Sequence, residues 1–425
     1  MRVVIAGAGV GGLTTALSLH AAGVRDINLL ENHSRRGHTG TGLNVLPNAV
    51  RELDALGVLG ELTTKAVLTQ ELLLCSTRGD VIWREKRGRS AGYGWPQLSL
   101  SRDHLLDVLT CRVRSVLGSR SVVYGHRVTA FHTSASGVTV VARTAGGAHR
   151  TLHADVLVGA DGIRSALRAQ LYPGEGSPPT NGMVMFRGIT AGKPFLTGAS
   201  MMVLGDERRR LVVYPIQHLS SGEVLNNWVV AVPATAETRR ERLPQGRRLG
   251  ILLSELGHWR SPYLDTGRML AGAPRIHRYP MIDRESLPRW SFRHVTLVGD
   301  AAHAMHPAGS NGATQAIIDA RVLAYCLARG QDVSEALAQY EELRRHVMTA
   351  LQRENRSMGP ERVITLAHER APDGFDDVSD VFTGDELAAI SAQYARAGSF
   401  AQADLIGDSP WTAQGSHSDK ARDTP

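Results

Sequence analysis

Short apolar runs alternate with a helical periodicity at the start of the chain. The stretch "VVIAG" has the pattern of a buried strand that runs into a glycine turn. The next residues place Leu13, Ala16 and Leu17 on one helical face, and Gly23 ends that helix. The apolar run "INLLE" follows. A strand, a helix and a second strand within about 30 residues predict a βαβ unit and a parallel sheet.

The hydrophobic pattern changes further along the chain. Residues 71–98 are β-rich, and "SRDHLLDVLTCRVRSVL" predicts a helix with an apolar face and Ser101 as its N-cap. Alternating strands dominate from 183 to about 285, and helical periodicity dominates from 312 onward. We therefore predict an α/β fold with a Rossmann-like domain (1–70, 99–172 and 286–330), an antiparallel β-sheet domain (173–285, with an excursion at 71–98), a helical C-terminal region (331–408) and a disordered tail (409–425).

Composition and charge argue against several classes of function. The formal net charge is +7, but the basic residues are scattered and not interleaved with aromatic residues, so we expect no nucleic-acid partner. The three cysteines are far apart and lack metal-ligand spacing, which favours a reducing, cytoplasmic compartment. No apolar run approaches the roughly 20 residues of a membrane span, so we expect no membrane partner.

The first glycine turn has a pattern that favours a dinucleotide. Gly7 permits a tight turn, Gly9 allows the backbone to approach a pyrophosphate, and Gly12 allows the helix to pack on the strand. Glu31 ends the second strand, where a carboxylate can accept hydrogen bonds from ribose hydroxyls. Because this carboxylate would repel a 2′-phosphate, the pattern predicts NAD or FAD rather than NADP.

Two later stretches place an aspartate at the end of an apolar strand. Asp161-Gly162 follows "ADVLVGA", and this turn taken alone is more typical of an aspartate that caps a helix than of a ligand-binding residue. Asp300 follows "VTLVG" and precedes a loop that contains Pro307 and Gly309. A helix starts at about Gly312, so its positive end would face a ligand at the carboxyl edge of the sheet.

These three stretches, in this order and at about these distances, resemble the single-component FAD-dependent aromatic hydroxylases typified by para-hydroxybenzoate hydroxylase. "GTGLNVLPNAVREL", "FRG" and "ERAPDGFDDVSDVFTGDEL" add to the resemblance, which is strongest for the branch of phenazine and salicylate-type hydroxylases. The resemblance implies that the Rossmann-like domain binds FAD and the β-sheet domain binds substrate. It assigns to the cofactor Gly7, Gly9, Gly11, Gly12, Glu31, Gly42, Arg102, Val128, Asp161, Gly162, Asp300, Pro307, Gly309, Asn311 and Gly312.

The resemblance also implies a reaction. NADH or NADPH reduces FAD, and O2 then gives a C4a-hydroperoxyflavin that hydroxylates an aromatic or heteroaromatic small molecule. The family needs no dedicated acid-base residue, and His306 and Pro307 are the candidates beside the flavin. Met185, Arg187, Met202 and Tyr214 are candidates for the substrate pocket, although alternating methionines on a sheet are equally typical of a core. The abundance of Ala, Arg and Gly favours a GC-rich bacterial genome and a role in secondary metabolism.

Several alternatives stay open at this level. A flavoprotein of the same fold could epoxidise or otherwise oxidise a non-aromatic or polycyclic substrate. His303 and His306 have no third ligand nearby in the sequence, so we expect no metal. The sequence does not distinguish NADH from NADPH, a monomer from a homodimer, or a decarboxylative from a simple hydroxylation.

Overall fold

The protein is described by a computed structural model that covers residues 1–34, 40–240 and 242–412. In chain order, the strands of these residues are β1 (Arg2–Ala6), β2 (Asp26–Glu31), β3 (Gly42–Val45), β4 (Val67–Thr69), β5 (Glu71–Ser76), β6 (Val81–Lys86), β7 (Gln97–Ser101), β8 (Val122–Tyr124), β9 (His126–Thr133), β10 (Val138–Thr144), β11 (His149–Ala154), β12 (Val156–Gly159), β13 (Thr180–Gly192), β14 (Ser200–Gly205), β15 (Arg210–His218), β16 (Val224–Pro233), β17 (Ile276–Ile282) and β18 (Val295–Leu297).

The α-helices of the same residues connect and cover these strands. They are α1 (Val10–Ala21), α2 (Pro47–Ala55), α3 (Leu59–Thr63), α4 (Arg102–Leu117), α5 (Ala166–Leu171), α6 (Gln245–Leu256), α7 (Thr266–Ala271), α8 (Asp300–His303), α9 (Gly312–Arg329), α10 (Val333–Arg356), α11 (Arg362–Arg370) and α12 (Gly384–Ala397). None of the helices within the described residues is long and apolar enough to cross a membrane.

A five-stranded parallel sheet forms the centre of the Rossmann-like part. Its strand order is β18-β12-β1-β2-β8, and β1 pairs in parallel with both β2 and β12. Helices α1, α4 and α9 pack around it. Because the sheet is covered, the strands read as continuous apolar runs such as Val3 to Ala6, all buried. The predicted α/β fold with a Rossmann-like domain is confirmed.

A seven-stranded sheet forms the second layer, with the strand order β17-β13-β16-β15-β14-β5-β6. Most of its neighbouring strands are antiparallel, as predicted. The pair β14–β5 is parallel, which the sequence analysis did not anticipate. Strand β5 belongs to the segment 71–98, which is far from β14 in the sequence. No hairpin therefore connects the two strands and fixes their relative direction.

The C-terminal region is helical, and its end contacts the body of the protein. Trp411 packs edge-on against Tyr325 with ring centroids 5.6 Å apart, and the Ser409 hydroxyl lies 2.5 Å from Glu52 Oε2. The expectation of disorder is therefore corrected for residues 409–412, whose aromatic and polar groups find partners on α2 and α9. Residues 413–425 of the predicted tail lie outside the described residues.

A buried carboxylate connects β18, α8, α9 and α10. Asp319 Oδ2 lies 2.5 Å from His303 Nε2 and accepts the Gly299 N–H at 3.0 Å, while Oδ1 accepts Arg344 Nε at 2.8 Å. Asp319 is fully buried. Burial alone would raise its pKa, but His303, Arg344 and the Gly299 N–H lower the pKa of Asp319 to about 2.

Replacing Asp319 by Asn removes this negative charge and leaves the buried Arg344 without its charged partner, although its hydrogen bond to Gln315 remains. We expect the free energy of unfolding to fall by about 3–5 kcal/mol in chemical denaturation, the magnitude typical of a broken buried ion pair. Asp332→Asn is the matched control, because Asp332 is exposed and Asn caps the N-terminus of α10 equally well. Equal stabilities of the two variants would contradict a structural role for Asp319.

The pH dependence follows from the same carboxylate. Its folded pKa of about 2 lies below the ordinary value of 3.8, so its stabilising contribution is present above about pH 4. This contribution is lost as the pH falls from about 4 towards 2. We expect Asp319→Asn to flatten the stability profile in this window, measured by denaturation at a series of pH values.

Candidate active site

One cavity of about 400 Å³ lies between the two large sheets. We call it the active-site cavity. It extends from the turn after β1, past the carboxyl end of β18 and the loop 304–311, to one face of the seven-stranded sheet. Most of the residues that the resemblance assigned to FAD or to the substrate lie around this space.

The first glycine turn lies at one end of the cavity. Gly7 has φ +102°, which favours glycine, and a Cβ on Gly12 would collide with the Gly7 carbonyl oxygen. Gly9 and Gly11 line the cavity, and a Cβ on Gly9 would meet no protein atom within 4 Å. No side chain caps α1, so the first N–H groups of this helix are available to an anion.

Glu31 lies at the end of β2 against this turn. Its Oε2 accepts the Ala8 N–H at 2.8 Å, and its Oε1 accepts the His33 N–H at 2.9 Å. A carboxylate has further lone pairs, so these bonds leave capacity for a ribose hydroxyl. Glu31 is not part of the cavity lining, and its contact with ribose stays a prediction.

The Asp161-Gly162 turn serves two purposes. Asp161 Oδ2 accepts the Ala166 N–H at 2.7 Å, so this carboxylate caps the start of α5, the structural alternative that the sequence left open. Its Oδ1 is buried and has no hydrogen-bond partner within the described residues. Burial raises the pKa of Asp161, and hydrogen bonds from Ser165 and Ala166 oppose that rise. Gly162 lines the cavity, and its contact with FAD stays a prediction.

Asp300 and the loop after it form the next part of the lining. Asp300 begins α8 and is exposed to the cavity. The loop passes Pro307 and reaches Gly309, whose φ of +66° favours glycine and whose Cβ would collide with the Tyr394 hydroxyl. Gly312 then starts α9, and no side chain caps this helix. Gly312 and Ala313 line the cavity, so the positive end of α9 faces this space.

Asn311 holds this loop instead of capping α9. Its side-chain amide donates to the Tyr394 hydroxyl at 2.7 Å and to the Gly309 carbonyl at 3.2 Å. The Tyr394 hydroxyl also lies 3.0 Å from the Ala308 carbonyl and 2.7 Å from Asn355 Oδ1. The C-terminal helix α12 therefore fixes the shape of the loop from the side opposite the cavity.

The remaining residues assigned to FAD divide into two groups. Arg102 and Gly42 line the cavity, and the Gly42 N–H donates to Asn227 Oδ1 at 2.6 Å. Val128 is buried on β9, where it pairs with Ala142, and it lies outside the lining. Its backbone contact with adenine stays a prediction.

The side of the seven-stranded sheet to which a side chain points determines whether a candidate for the substrate pocket lines the cavity. Met185, Arg187 and Tyr214 line it. Met202 does not, and the expectation for this residue is corrected. Successive residues of a strand point to opposite faces, and Met202 lies with Leu204 and Trp228 in the core on the other face of the sheet. Its neighbour Met201 points to the side of the C-terminal helices.

Arg187 is a half-buried cation in this cavity. Its guanidinium lies 5.8 Å from the ring centre of Tyr279, and Nη2 lies 3.9 Å from Met185 Sδ. Within the described residues, no carboxylate lies within 4.0 Å of its nitrogens, and Nε has no acceptor. Burial lowers the pKa of Arg187, and Tyr214 and Tyr279 oppose that change. An anion in the cavity would supply the negative charge that balances the Arg187 guanidinium.

His306 and Pro307 both line the cavity beside the loop. His306 Nε2 lies 3.6 Å from Asp283 Oδ2. Burial lowers the pKa of His306, Asp283 raises it, and Arg356 lowers it further. The other histidine of this motif, His303, is turned away to Asp319. No group of His, Cys, Asp and Glu residues in ranges 1–34, 40–240 and 242–412 could hold a metal ion.

The cavity contains two charged residues that the sequence analysis missed, Arg210 and Glu361. Arg210 is four residues before Tyr214 on β15, so strand alternation places both on the same face and could have identified it. Glu361 ends the 3₁₀ turn 359–361 before α11. No local pattern indicates that this turn returns to the cavity.

The residues present fit FAD. At Gly9 a Cβ would enter the open cavity, so the turn leaves a cradle next to the uncapped end of α1. A diphosphate can accept from these N–H groups. Asp300 supplies an exposed carboxylate for a polyol chain, and the uncapped end of α9 supplies a positive dipole for the carbonyl edge of a flat ring.

Comparison with known proteins agrees with this geometry. Residues 1–355 match the family described as FAD binding domain. The chain is 41% identical over 361 residues to the phenazine 1,6-dicarboxylic acid hydroxylase PhzS of Lysobacter antibioticus, covering 83% of this chain and 89% of that protein. It is 31% identical to the aurachin C monooxygenase/isomerase of Stigmatella aurantiaca, covering 81% and 85%.

A solved structure shows the same fold. The structure of Klebsiella pneumoniae HpxO complexed with FAD and uric acid aligns with a TM-score of 0.73 at 22% identity, over 95% of this chain and 97% of that chain. The family match over most of the chain, together with the cradle, the strand-end aspartate and the uncapped helix, gives the assignment. The chain belongs to the FAD-dependent aromatic hydroxylases, a family of monooxygenases that use NAD(P)H and O2.

Proposed function

We propose that this enzyme hydroxylates a flat heteroaromatic carboxylic acid of the phenazine type. The observation that carries the proposal is Arg187, a cation that faces the active-site cavity without a carboxylate partner among the described residues. The floor around it is apolar and includes Val229, Ala231 and Met281. A planar ring can lie on such a floor, and its carboxylate can accept hydrogen bonds from the guanidinium. The relative at 41% identity acts on a phenazine dicarboxylic acid.

The cofactor residues have separable tasks in this proposal. The N–H groups at the start of α1, with Gly9, hold the diphosphate of FAD, and Glu31 and Arg102 hold its adenosine side. Asp300 accepts hydrogen bonds from the ribityl chain, and the loop from Pro307 to Gly312 borders the ring system. When bound, FAD accepts a hydride from NAD(P)H and activates O2 for transfer of one oxygen atom to the substrate.

The protein residues orient the substrate and exclude water. Arg187 fixes the carboxylate, and Met185, Val229 and Ala231 support the ring plane. The end of α9 stabilises negative charge on the ring edge that it faces. His306 and Pro307 shape the wall of the cavity without a required proton transfer. We place the enzyme in the cytoplasm, since its three cysteines are free.

Gly9→Ala tests the cofactor cradle. The added Cβ meets no protein atom, so the fold should persist, but it occupies the space of the diphosphate. We expect the Kd of the variant for FAD to rise at least about tenfold, the effect of losing about 1.4 kcal/mol or more of binding energy, so that flavin is lost during purification. Flavin content follows from the ratio of absorbance at the flavin and protein bands.

Gly60→Ala is the matched control for this variant. A Cβ on Gly60 also meets no atom within 4 Å, but Gly60 lies in α3 away from the cavity. The control should keep its flavin. Full flavin content in Gly9→Ala, with an unchanged unfolding profile, would contradict the position of the diphosphate.

Arg187→Gln tests the carboxylate anchor. Losing a charged hydrogen bond of about 1.5–3 kcal/mol should raise KM or Kd for a phenazine carboxylate roughly 10- to 100-fold. The Kd for unsubstituted phenazine should stay within about twofold, because that ring has no carboxylate. Arg208→Gln is the control, since Arg208 is an exposed arginine outside the active-site cavity. Equal effects on the acid and the neutral ring would argue against an anchor.

A substrate panel tests the function itself. The holoenzyme is incubated with NADH or NADPH, O2 and either phenazine-1-carboxylate, phenazine-1,6-dicarboxylate, 3-hydroxybenzoate or phenazine. We expect the phenazine acids to accelerate NAD(P)H oxidation most and to give products one oxygen atom heavier, or with a carboxyl group replaced by hydroxyl, by mass spectrometry. Acceleration by 3-hydroxybenzoate alone would overturn the substrate class and leave the family assignment intact.

A further inference from the structure

The active-site cavity has a second charged end opposite Arg187. Arg187 on β13 pairs with Val229 of β16, and Arg210 on β15 pairs with Ala231 of β16. The two arginines are therefore two strands and two residues apart, about 12 Å between Cα atoms from ordinary strand spacing and rise. The floor between them is apolar, with Val212, Val229 and Ala231 on the cavity face.

Arg210 is buried and incompletely paired. Its side chain is 4% exposed; Nη2 donates to the Thr365 hydroxyl at 2.7 Å and Nη1 to the Arg209 carbonyl at 2.9 Å. Within the described residues no carboxylate lies within 4.0 Å of its nitrogens, and Nε has no acceptor. The neutral partners do not balance the positive charge of this buried guanidinium. An anion bound in the cavity could form an ion pair with it.

Glu361 lies at the same end of the cavity. It precedes Thr365 by four residues, so the start of α11 presents both side chains to Arg210 on one helical face. Glu361 lines the cavity, is 8% exposed and forms no ion pair within 4.0 Å among the described residues. Burial raises the pKa of Glu361, while Arg210 and the Gly309 N–H oppose that rise.

We propose that Arg210 and Glu361 form a second subsite, which binds a second carboxyl group of the substrate. Arg210 donates to the substrate carboxyl, and that carboxyl shares one proton with the Glu361 carboxyl. The group of two carboxyls, one proton and one guanidinium is neutral, which a buried site requires. The inference rests on the proposed function, since it takes an aromatic acid already held by Arg187. The enzyme then selects flat diacids over monoacids.

The shared proton makes the binding of a diacid depend on pH. Glu361 is faced by Arg210 from β15, by the Gly309 N–H from the loop and by Tyr394 from α12. As the pH rises through the raised pKa of Glu361, the free site loses the proton that the two carboxyls need. The Kd of a diacid should then increase by up to tenfold per pH unit, while the Kd of a monoacid at Arg187 should change less.

The experiment is calorimetric titration of the FAD-loaded enzyme, without NAD(P)H, with phenazine-1,6-dicarboxylate and with phenazine-1-carboxylate. Titrations in two buffers with different ionisation enthalpies give the protons taken up on binding, over roughly pH 6 to 9, which lies above the ordinary carboxyl pKa of about 4. At the acidic end of this range the wild type should bind the diacid at least tenfold more tightly than the monoacid. At the alkaline end, binding of the diacid should take up close to one proton.

Two variants separate the two parts of the subsite. Glu361→Gln keeps the size of the side chain and should abolish the proton uptake and flatten the pH profile of the diacid. Arg210→Gln should reduce the preference for the diacid at least tenfold. Glu369→Gln is the control on the same helix, since Glu369 is exposed and lies outside the active-site cavity. It should behave as the wild type.

The outcomes distinguish this inference from the proposed function. If both variants bind the diacid with wild-type affinity and wild-type proton uptake, the second subsite is wrong, and a retained effect of Arg187→Gln leaves the proposed function standing. If the wild-type enzyme binds neither phenazine acid, the proposed function fails, and this inference fails with it. If Arg210→Gln does not fold, the near-isosteric Glu361→Gln variant still decides the question.

Discussion

The buried carboxylate of Asp319 is the interaction on which the active site depends. It accepts hydrogen bonds from the Gly299 backbone, from His303 and from Arg344, which belong to the strand end, to α8 and to α10. A carboxylate fully withdrawn from water is tolerated only when its oxygens are satisfied and its charge is opposed. Because Asp319 lies within α9, satisfying it fixes the start of that helix relative to the parallel sheet.

This connection determines the path of the loop 304–311, which borders the active-site cavity. The end of β18 and the start of α9 are both fixed in position. Residues 304–311 must therefore span a fixed distance between α8, which follows β18, and α9. Tyr394 then fills the space that a Cβ on Gly309 would need, and it holds Asn311 and Ala308 by its hydroxyl. Asp300 and the uncapped end of α9 are thereby presented to the same cavity. The arrangement places a carboxylate and the positive end of a helix dipole on one wall of the cavity.

The charge distribution in the cavity is asymmetric. The cofactor side offers backbone N–H groups and Asp300, whereas the sheet side offers an apolar floor with a cation at each end. Arg210 is buried and Arg187 is half-buried, and neither has a carboxylate within ion-pair distance among the described residues. Proteins seldom retain such groups unless a ligand or a buried partner completes them. Glu361 belongs to the C-terminal region, beyond the residues that match the family.

The sequence by itself determined what depends on neighbours in the chain. The glycine turn, the Ser101 cap with its bond to the Asp103 N–H, and the strand-end position of Asp300 follow from local spacing and backbone sterics. These are the features from which the fold class and the cofactor class were predicted. The helix start at Gly312 also agrees with the structure.

Only the tertiary structure decided which side chains share the cavity. Met201 and Met202 are chemically identical neighbours, and the pairing of β14 with β5 and β15 turns Met202 away from the substrate side. His303 meets Asp319, 16 residues further along the chain, and neither position indicates the contact by a local pattern. Arg210 comes near Glu361 across a long stretch of chain. The physical reason is that face and proximity are set by strand register and helix packing, which depend on contacts distant in sequence.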